Sequence, residues 1–274
     1  MNFTTISQAK KDTGLSYLGG VSISAKIMHS QEYSHQHTYA IYLAPANTSG
    51  YNICSHSTPE CRMGCLNTSG RAAIEIFSGV DRIKNARIKK TRLFYEDTEF
   101  FINWMFAEIK NKQAKAKREG FYFSVRLNAT SDIDWQNVKI GGKTIFEIFS
   151  DIQFYDYTKN HNKFNYVAPN YHLTYSYTGR NWNKCVDLLA KGHNIAMVFN
   201  VKKESDIPAT YKGYKVVNGD LTDYRVDDAK GIIIGLKWKR IADRQAETKI
   251  LNSCFVVKPE IKAWNTAMAL EMLI

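Results

Sequence analysis

From residue 121 onward the chain alternates short apolar runs with helical patterns, and this alternation limits its fold more than any other feature. The runs fall at residues 121–127, 152–155, 171–175, 194–199, 215–218 and 231–236, each bounded by turn or helix signals. Helical periodicity separates several of them, most plainly at 145–149 and 182–191. Strands that alternate with helices pair in parallel through right-handed crossovers. Upstream, a β-rich region at 20–28 and a strand at 37–44 lead into a long loop at 45–70. Short helices are then predicted at 71–79 and 81–89, and a long amphipathic helix at 98–119 with Phe101, Trp104, Met105 and Ile109 on one side. With about seven strands and no G-x-G-x-x-G turn, the expected class is α/β, a complete or partial TIM-like β/α barrel; a doubly wound sheet is the alternative. The chain has 274 residues and no Pro/Gly/Ser linker or solenoid repeat, so one domain over 1–274 is expected.

The formal charge of +11 raises the question of nucleic acid. The positive residues crowd into 81–92 and 110–118, where Ile83, Ile88 and Ala114 are available to face inward, so they read as solvated outer faces of helices. Nucleic-acid binding through this basic surface is the lesser reading, and it would be weak and salt-dependent. No window reaches the run of apolar residues needed to span a bilayer, and the opening MNFTTISQAKKDTG lacks an apolar signal core. The expectation is a soluble cytoplasmic protein with no membrane partner.

Five cysteines in a reduced compartment argue against a disulfide framework, and three of them fall within twelve residues. NICSHSTPECRMGC spaces Cys54, Cys61 and Cys65 as C-x6-C-x3-C. Three thiolates on one short segment can converge on one centre, and soft sulfur selects zinc, copper(I) or an iron–sulfur cluster. Structural zinc wants four ligands, often as two close pairs, and no C-x-x-C pair occurs. His56 lies too near Cys54 along the loop to complete such a site well. An iron–sulfur cluster is the favoured reading, 4Fe-4S before 3Fe-4S, with one iron open to a small-molecule ligand; zinc and three unligated thiols stay open as alternatives. Cys185 and Cys254 read as small hydrophobes.

Polar residues gather at the carboxyl ends of the predicted strands, where β/α barrels assemble their sites. Arg126, Asn128 and Asp132 follow one strand, Asp156 another, and Asp220 and Arg225 a third. These six are the pocket candidates, although polar residues are common in loops and Asp132 can equally serve as a turn or helix cap.

Two resemblances add to this. A three-cysteine loop after an early barrel strand resembles the radical S-adenosylmethionine superfamily over roughly residues 39–238. The chain departs from that superfamily's C-x3-C-x2-C spacing and lacks its glycine-rich strand end, with LNATSD in that place. Conventional cleavage of S-adenosylmethionine is therefore not expected. The stretches NICSHSTPECRMGCLNTSGR, RLNATSDIDW, FYDYTK and NGDLTDYR are similar to a family of bacteriophage gene products. That resemblance implies a phage-encoded barrel with a metal-cluster loop, acting in the cytoplasm of an infected host cell, and it implies no particular reaction. Two function classes follow: an iron–sulfur enzyme of unassigned reaction, or a noncatalytic redox, sensing or host-interaction protein; a divergent radical S-adenosylmethionine enzyme is the remaining alternative.

Overall fold

The apolar runs form strands close to where the sequence predicts them. Seven strands lie side by side and parallel throughout, in the order β2 (Gln36–Ile41), β3 (Tyr122–Arg126), β6 (Gln153–Thr158), β7 (Tyr171–Ser176), β8 (Asn194–Phe199), β11 (Ile233–Lys237) and β10 (Tyr214–Asn218). β1 (Gly19–Gly20) adds antiparallel to β2, β9 (Thr210–Tyr211) antiparallel to β10, and β12 (Val256–Val257) parallel to the end of β8. A hairpin of β4 (Lys139–Ile140) and β5 (Lys143–Thr144) stands apart. The computed structural model describes residues 1–21, 24–65 and 81–259.

The architecture is mixed α/β with a large, mostly parallel sheet. Among the described residues, backbone pairing does not close that sheet into the expected barrel, because β1 and β9 form its two ends. β11 enters between β8 and β10, so β10 is left next to the short β9 and not next to β2. Side chains make the link instead. The amide of Asp223, in the β10–β11 connection, donates to Ser30 Oγ at 2.7 Å, and its carboxylate meets Arg126 of β3 and Tyr155 of β6 at 2.9 Å each.

Strand alternation gives the sheet two unlike faces. Tyr39, Ile41, Val125, Phe154, Tyr171 and Leu173 belong to the main apolar core. Against them packs α5 (Thr98–Arg118) through Phe101, Trp104, Met105 and Ile109, the stripe read from its periodicity. The residues between these on the strands are also buried but polar: Thr38, Ser124, Arg126, Thr174 and Asn194. Thr38 and Ser124 hydroxyls meet at 2.9 Å, and Tyr155 Oη donates to Thr38 at 3.2 Å, so part of the polar face satisfies itself across strands, while Thr174 Oγ1 and Arg126 Nε have no hydrogen-bond partner among the described residues.

Two expectations near the N-terminus need correction. The β-rich reading of 20–28 fails beyond Gly20, because Ser24 caps α2 (Ala25–Ser34), its Oγ accepting from Ile27 N at 3.2 Å. Gly19 is required where it stands: a Cβ there would lie 2.5 Å from the Tyr39 ring. Glu108 of α5 then fixes the entry, accepting from the amides of Leu18 and Gly19 and from Tyr39 Oη. The helix predicted at 81–89 runs longer, as α4 (Arg82–Glu96), and the one predicted at 71–79 lies outside the described residues. Most basic residues of α4 and α5 are exposed as expected; Lys90 is the exception, buried and donating to Leu18 O at 2.8 Å. On α5 it is Ala116 that faces inward, while Ala114 is exposed.

Candidate functional site

All seven parallel strands deliver their carboxyl ends to one cavity of about 410 Å³. Its wall includes Ala46 beyond β2, Arg126 at the end of β3 and Asn128 to Asp132 beyond it, Tyr157 to Lys159 at the end of β6, and Ser176 and Tyr177 at β7. Val198, Leu236 to Lys239, and Asp220 complete it from β8, β11 and β10. Cys54, Cys61 and Cys65 all line this cavity, as does Lys26 from the first turn of α2.

The thiols are carried by a segment held mainly by its own neighbours. Cys54 accepts through its carbonyl from Ser57, and Thr58 caps the short helix α3 (Pro59–Met63), its Oγ1 accepting from Cys61 N at 3.2 Å. Arg62 folds back on Ser57. Longer reaches are few: Asp132 N donates to Ile53 O at 2.9 Å, and Arg180 pairs with Glu60 at 3.2 Å. Cys61, Met63 and Trp238 pack against one apolar cluster around Ile250 and Phe255, and a Cβ at Gly64 would crowd the Trp238 ring at 2.9 Å.

Burial pushes the Cys54 thiol up to about 11, with the nearby Cys65, Asp132 and Cys61 adding to the rise and the Ala46 backbone opposing it. Lys159 moves the other way from what desolvation alone would give. Burial lowers its pKa, yet Cys61, to which its ammonium is hydrogen-bonded, together with Asp132 and Cys65, raises it above the ordinary lysine value. Among the described residues, no three His, Cys, Asp or Glu side chains stand together as a ready metal-holding group.

The six predicted pocket residues divide. Arg126, Asn128, Asp132 and Asp220 line the cavity; Asp156 and Arg225 do not. Asp156 projects from β6 on the opposite face to Tyr157, accepting from Asn128 N at 2.8 Å and Tyr171 Oη at 3.1 Å, and burial raises its carboxyl to about 7. Arg225 is 1% exposed and spends its guanidinium on the carbonyls of Thr222 and Tyr224. Asn128 and Asp132 line the wall but are bound into the scaffold. Asn128 Oδ1 accepts from Ser131 Oγ and Ile133 N, and its Nδ2 donates to Ile133 O. Asp132 takes Thr158 Oγ1 at 2.7 Å, Lys159 N at 2.9 Å and the buried ammonium of Lys163 at 2.7 Å.

Sequence reasoning missed Lys26, Lys237, Trp238 and Lys239 as members of this wall. Lys159 and Asp223, read at strand ends with the others but not among the six candidates, do line it. Lys26 fell in the region misread as a strand, where the Ser24 cap was the available signal. Cys185 is buried in apolar surroundings as expected, and burial pushes its thiol up to about 12, whereas Cys254 is exposed and not a core residue.

No helix among the described residues is long and apolar enough to cross a membrane. No curated protein and no solved structure matches the chain, and the comparisons lend no support to the likeness to the radical S-adenosylmethionine superfamily. The family model described as Gene product 88, a family of phage gene products, matches residues 6–252, so the chain belongs to that family.

Proposed function

We propose that this phage-family chain holds an iron–sulfur cluster of the 4Fe-4S form on Cys54, Cys61 and Cys65, with one iron open to a small ligand in the cavity. The observation that carries the reading is that all three thiols line one cavity at the carboxyl ends of the parallel strands. The donor set fits a cluster in kind, since three thiolates with an open position suit it better than they suit structural zinc. His56 does not complete a zinc set: it lies outside this cavity's wall, and its Nδ1 is 2.9 Å from Ser55 Oγ. When bound, such a cluster supplies a Lewis-acidic iron or an electron to a ligand beside it.

The chain's own residues have definable parts. Lys159, hydrogen-bonded to Cys61, offsets negative charge on the ligand set. Cys54, whose thiol is held up near about 11, must release its proton when it ligates, so loading is coupled to pH. Asp132 orients the Lys159 backbone and anchors Ile53, one residue before Cys54. The test is anaerobic reconstitution with iron and acid-labile sulfide determined on the same sample. Stoichiometric zinc without sulfide in purified protein would overturn the reading. An unbiased ligand search on loaded protein separates an enzyme from a noncatalytic redox, sensing or host-interaction role. Reduced, loaded protein should form no 5′-deoxyadenosine from S-adenosylmethionine.

A further inference from the structure

We propose that the cavity takes a small soluble anion, a molecule carrying phosphate or carboxylate groups, held chiefly by Lys26 and Lys239. The proposal deepens the reading of this cavity as a ligand site beside the cluster and rests on that reading.

Charge is the first support. Six cationic side chains line the wall, Lys26, Arg62, Arg126, Lys159, Lys237 and Lys239, against three carboxylates, Asp132, Asp220 and Asp223. Two of those carboxylates are already matched: Asp132 by Lys163 at 2.7 Å, and Asp223 by Arg126 Nη1 at 2.9 Å. Arg62 is turned back on Ser57, Lys159 is engaged with Cys61, and Lys237 Nζ lies 3.8 Å from Glu204. Asp220 is left between two ammonium groups, Lys26 at 3.8 Å and Lys239 at 3.9 Å. At those separations both are attracted to the carboxylate without hydrogen-bonding to it. An incoming anion can therefore engage them while Asp220 keeps its 2.6 Å bond from Lys237 N.

Unmatched donors are the second support. Arg126 is 9% exposed, and its Nε has no hydrogen-bond partner among the described residues. Tyr157 Oη is also buried and unpartnered, and its ring lies 5.0 Å from the Arg126 guanidinium. Both residues line the cavity. Buried donors without acceptors are costly, and an anion supplies acceptors.

The third support is α2, whose first turn carries Lys26 and no acidic residue, so that apart from the Ser24 cap no negative side chain of its own faces its amino-terminal partial charge. Burial lowers the Lys26 pKa to about 8, with Asp223 and Asp220 opposing the fall and Arg225 and Lys239 adding to it. A bound anion offsets that desolvation. The volume of about 410 Å³ is that of a small-molecule site. The exposed lysines and arginines of α4 and α5 do not line it.

The experiment titrates pyrophosphate and citrate calorimetrically, at low salt, into the full-length protein, both cluster-loaded wild type and cluster-free Cys61→Ser. One site per chain is expected in each. Lys26→Gln and Lys239→Gln should each weaken it about tenfold, the effect of one lost charge-assisted bond. Lys117→Gln on the exposed face of α5 should change it less than twofold. Thermal melts of each variant exclude unfolding as the cause. Pyrophosphate well above citrate assigns a phosphate-bearing ligand, and the reverse a carboxylate. Absence of binding, indifference to Lys26→Gln and Lys239→Gln, or tighter binding of a single-stranded oligonucleotide than of either small anion overturns the proposal. Iron and sulfide on the same samples judge the cluster reading separately: a cluster without anion binding sinks only this inference, and anion binding without a cluster sinks only that one.

Discussion

Two segments meet at the cavity mouth and are built on opposite plans. The segment that follows β3, from Asn128 to Ile133, ties its polar side chains across the sheet: Asn128 N reaches Asp156, Thr130 Oγ1 reaches Leu43 O at 2.6 Å, and Asp132 gathers Thr158, Lys159 and Lys163. The segment from Asn52 to Cys65 is bonded mostly to itself, through Ser57, Thr58 and Arg62. The first is scaffold, and its geometry is fixed by folding. The second presents three thiols on a segment whose hydrogen bonds are mostly internal, with reaches to Asp132, Lys159 and Arg180, which is the arrangement expected where a ligand completes the order.

The sharpest way to break this comparison is Asp132→Asn. Removing the carboxylate leaves the Lys163 ammonium, whose side chain is 1% exposed, with only the carbonyls of Asp132 and Ile133 and no charge partner, and losing one partner of a buried pair costs about 3–5 kcal/mol. Urea unfolding of cluster-free protein measures it. A loss below about 1 kcal/mol would mean that this loop is no more anchored than the cysteine segment.

Asp156 tests the scaffold through pH. Burial raises its carboxyl to about 7, against an ordinary unfolded value of about 3.9. The folded protein thus holds a proton that the unfolded chain has released. The resulting stabilisation is fully present below about pH 4 and is lost as pH rises through about 7. In Asp156→Asn this part of the pH dependence should vanish, leaving unfolding free energy flatter between those limits. An unchanged slope would place the proton elsewhere.

How far the sequence showed this division depends on the range of the interactions. β3, β6, β7, β8, β10 and β11 were legible because aromatic and β-branched residues concentrate in short bounded runs. The strand-end rule found the cavity and four of its six candidate residues. Asp156 was misassigned although period-2 alternation separates it from Tyr157, the residue that does line the wall. Arg225 lies off the wall because its side chain turns onto the carbonyls of Thr222, at 2.7 Å, and Tyr224, with the Asp228 carboxylate 3.2 Å away. The Arg126–Asp223 pair and the placement of Lys26 were beyond local reading, since both depend on the β10–β11 connection crossing to α2 and β3. The unclosed sheet was hidden for a similar reason: nothing local announces that β11 enters between β8 and β10.

The cysteine segment should behave in the contrary way to the scaffold. Cys54→Ala, Cys61→Ala and Cys65→Ala should each strip the protein of most iron and acid-labile sulfide. In cluster-free protein the same changes should cost about 1 kcal/mol or less, the range expected for small, partly exposed side chains. Cys185→Ser, in contrast, should spare metal content and lower stability, because it places a hydroxyl in an apolar cluster. Full iron and sulfide in any of the three alanine variants would remove that cysteine from the ligand set.

The smallest effect, and the most local, is expected from Thr58→Ala. Thr58 Oγ1 accepts from Cys61 N at 3.2 Å and is the N-cap of α3, a five-residue helix too short to persist by its own propensity. Cap removal costs about 0.5 kcal/mol at the low end of its range, and that end applies where the helix already frays. In cluster-free protein the change should hardly move the urea midpoint, but it should speed amide exchange at Cys61 about twofold. On loading, Cys54, Cys61 and Cys65 become joined through one centre, so opening of α3 requires breaking ligation and no longer only the loss of a cap. Exchange at Cys61 should then slow strongly in both proteins, and the difference between them should disappear. Hydrogen exchange with and without the cluster is the measurement. If loading leaves exchange across residues 54–65 unchanged, the segment is not completed by a ligand, and its contrast with the β3 loop is one of packing alone.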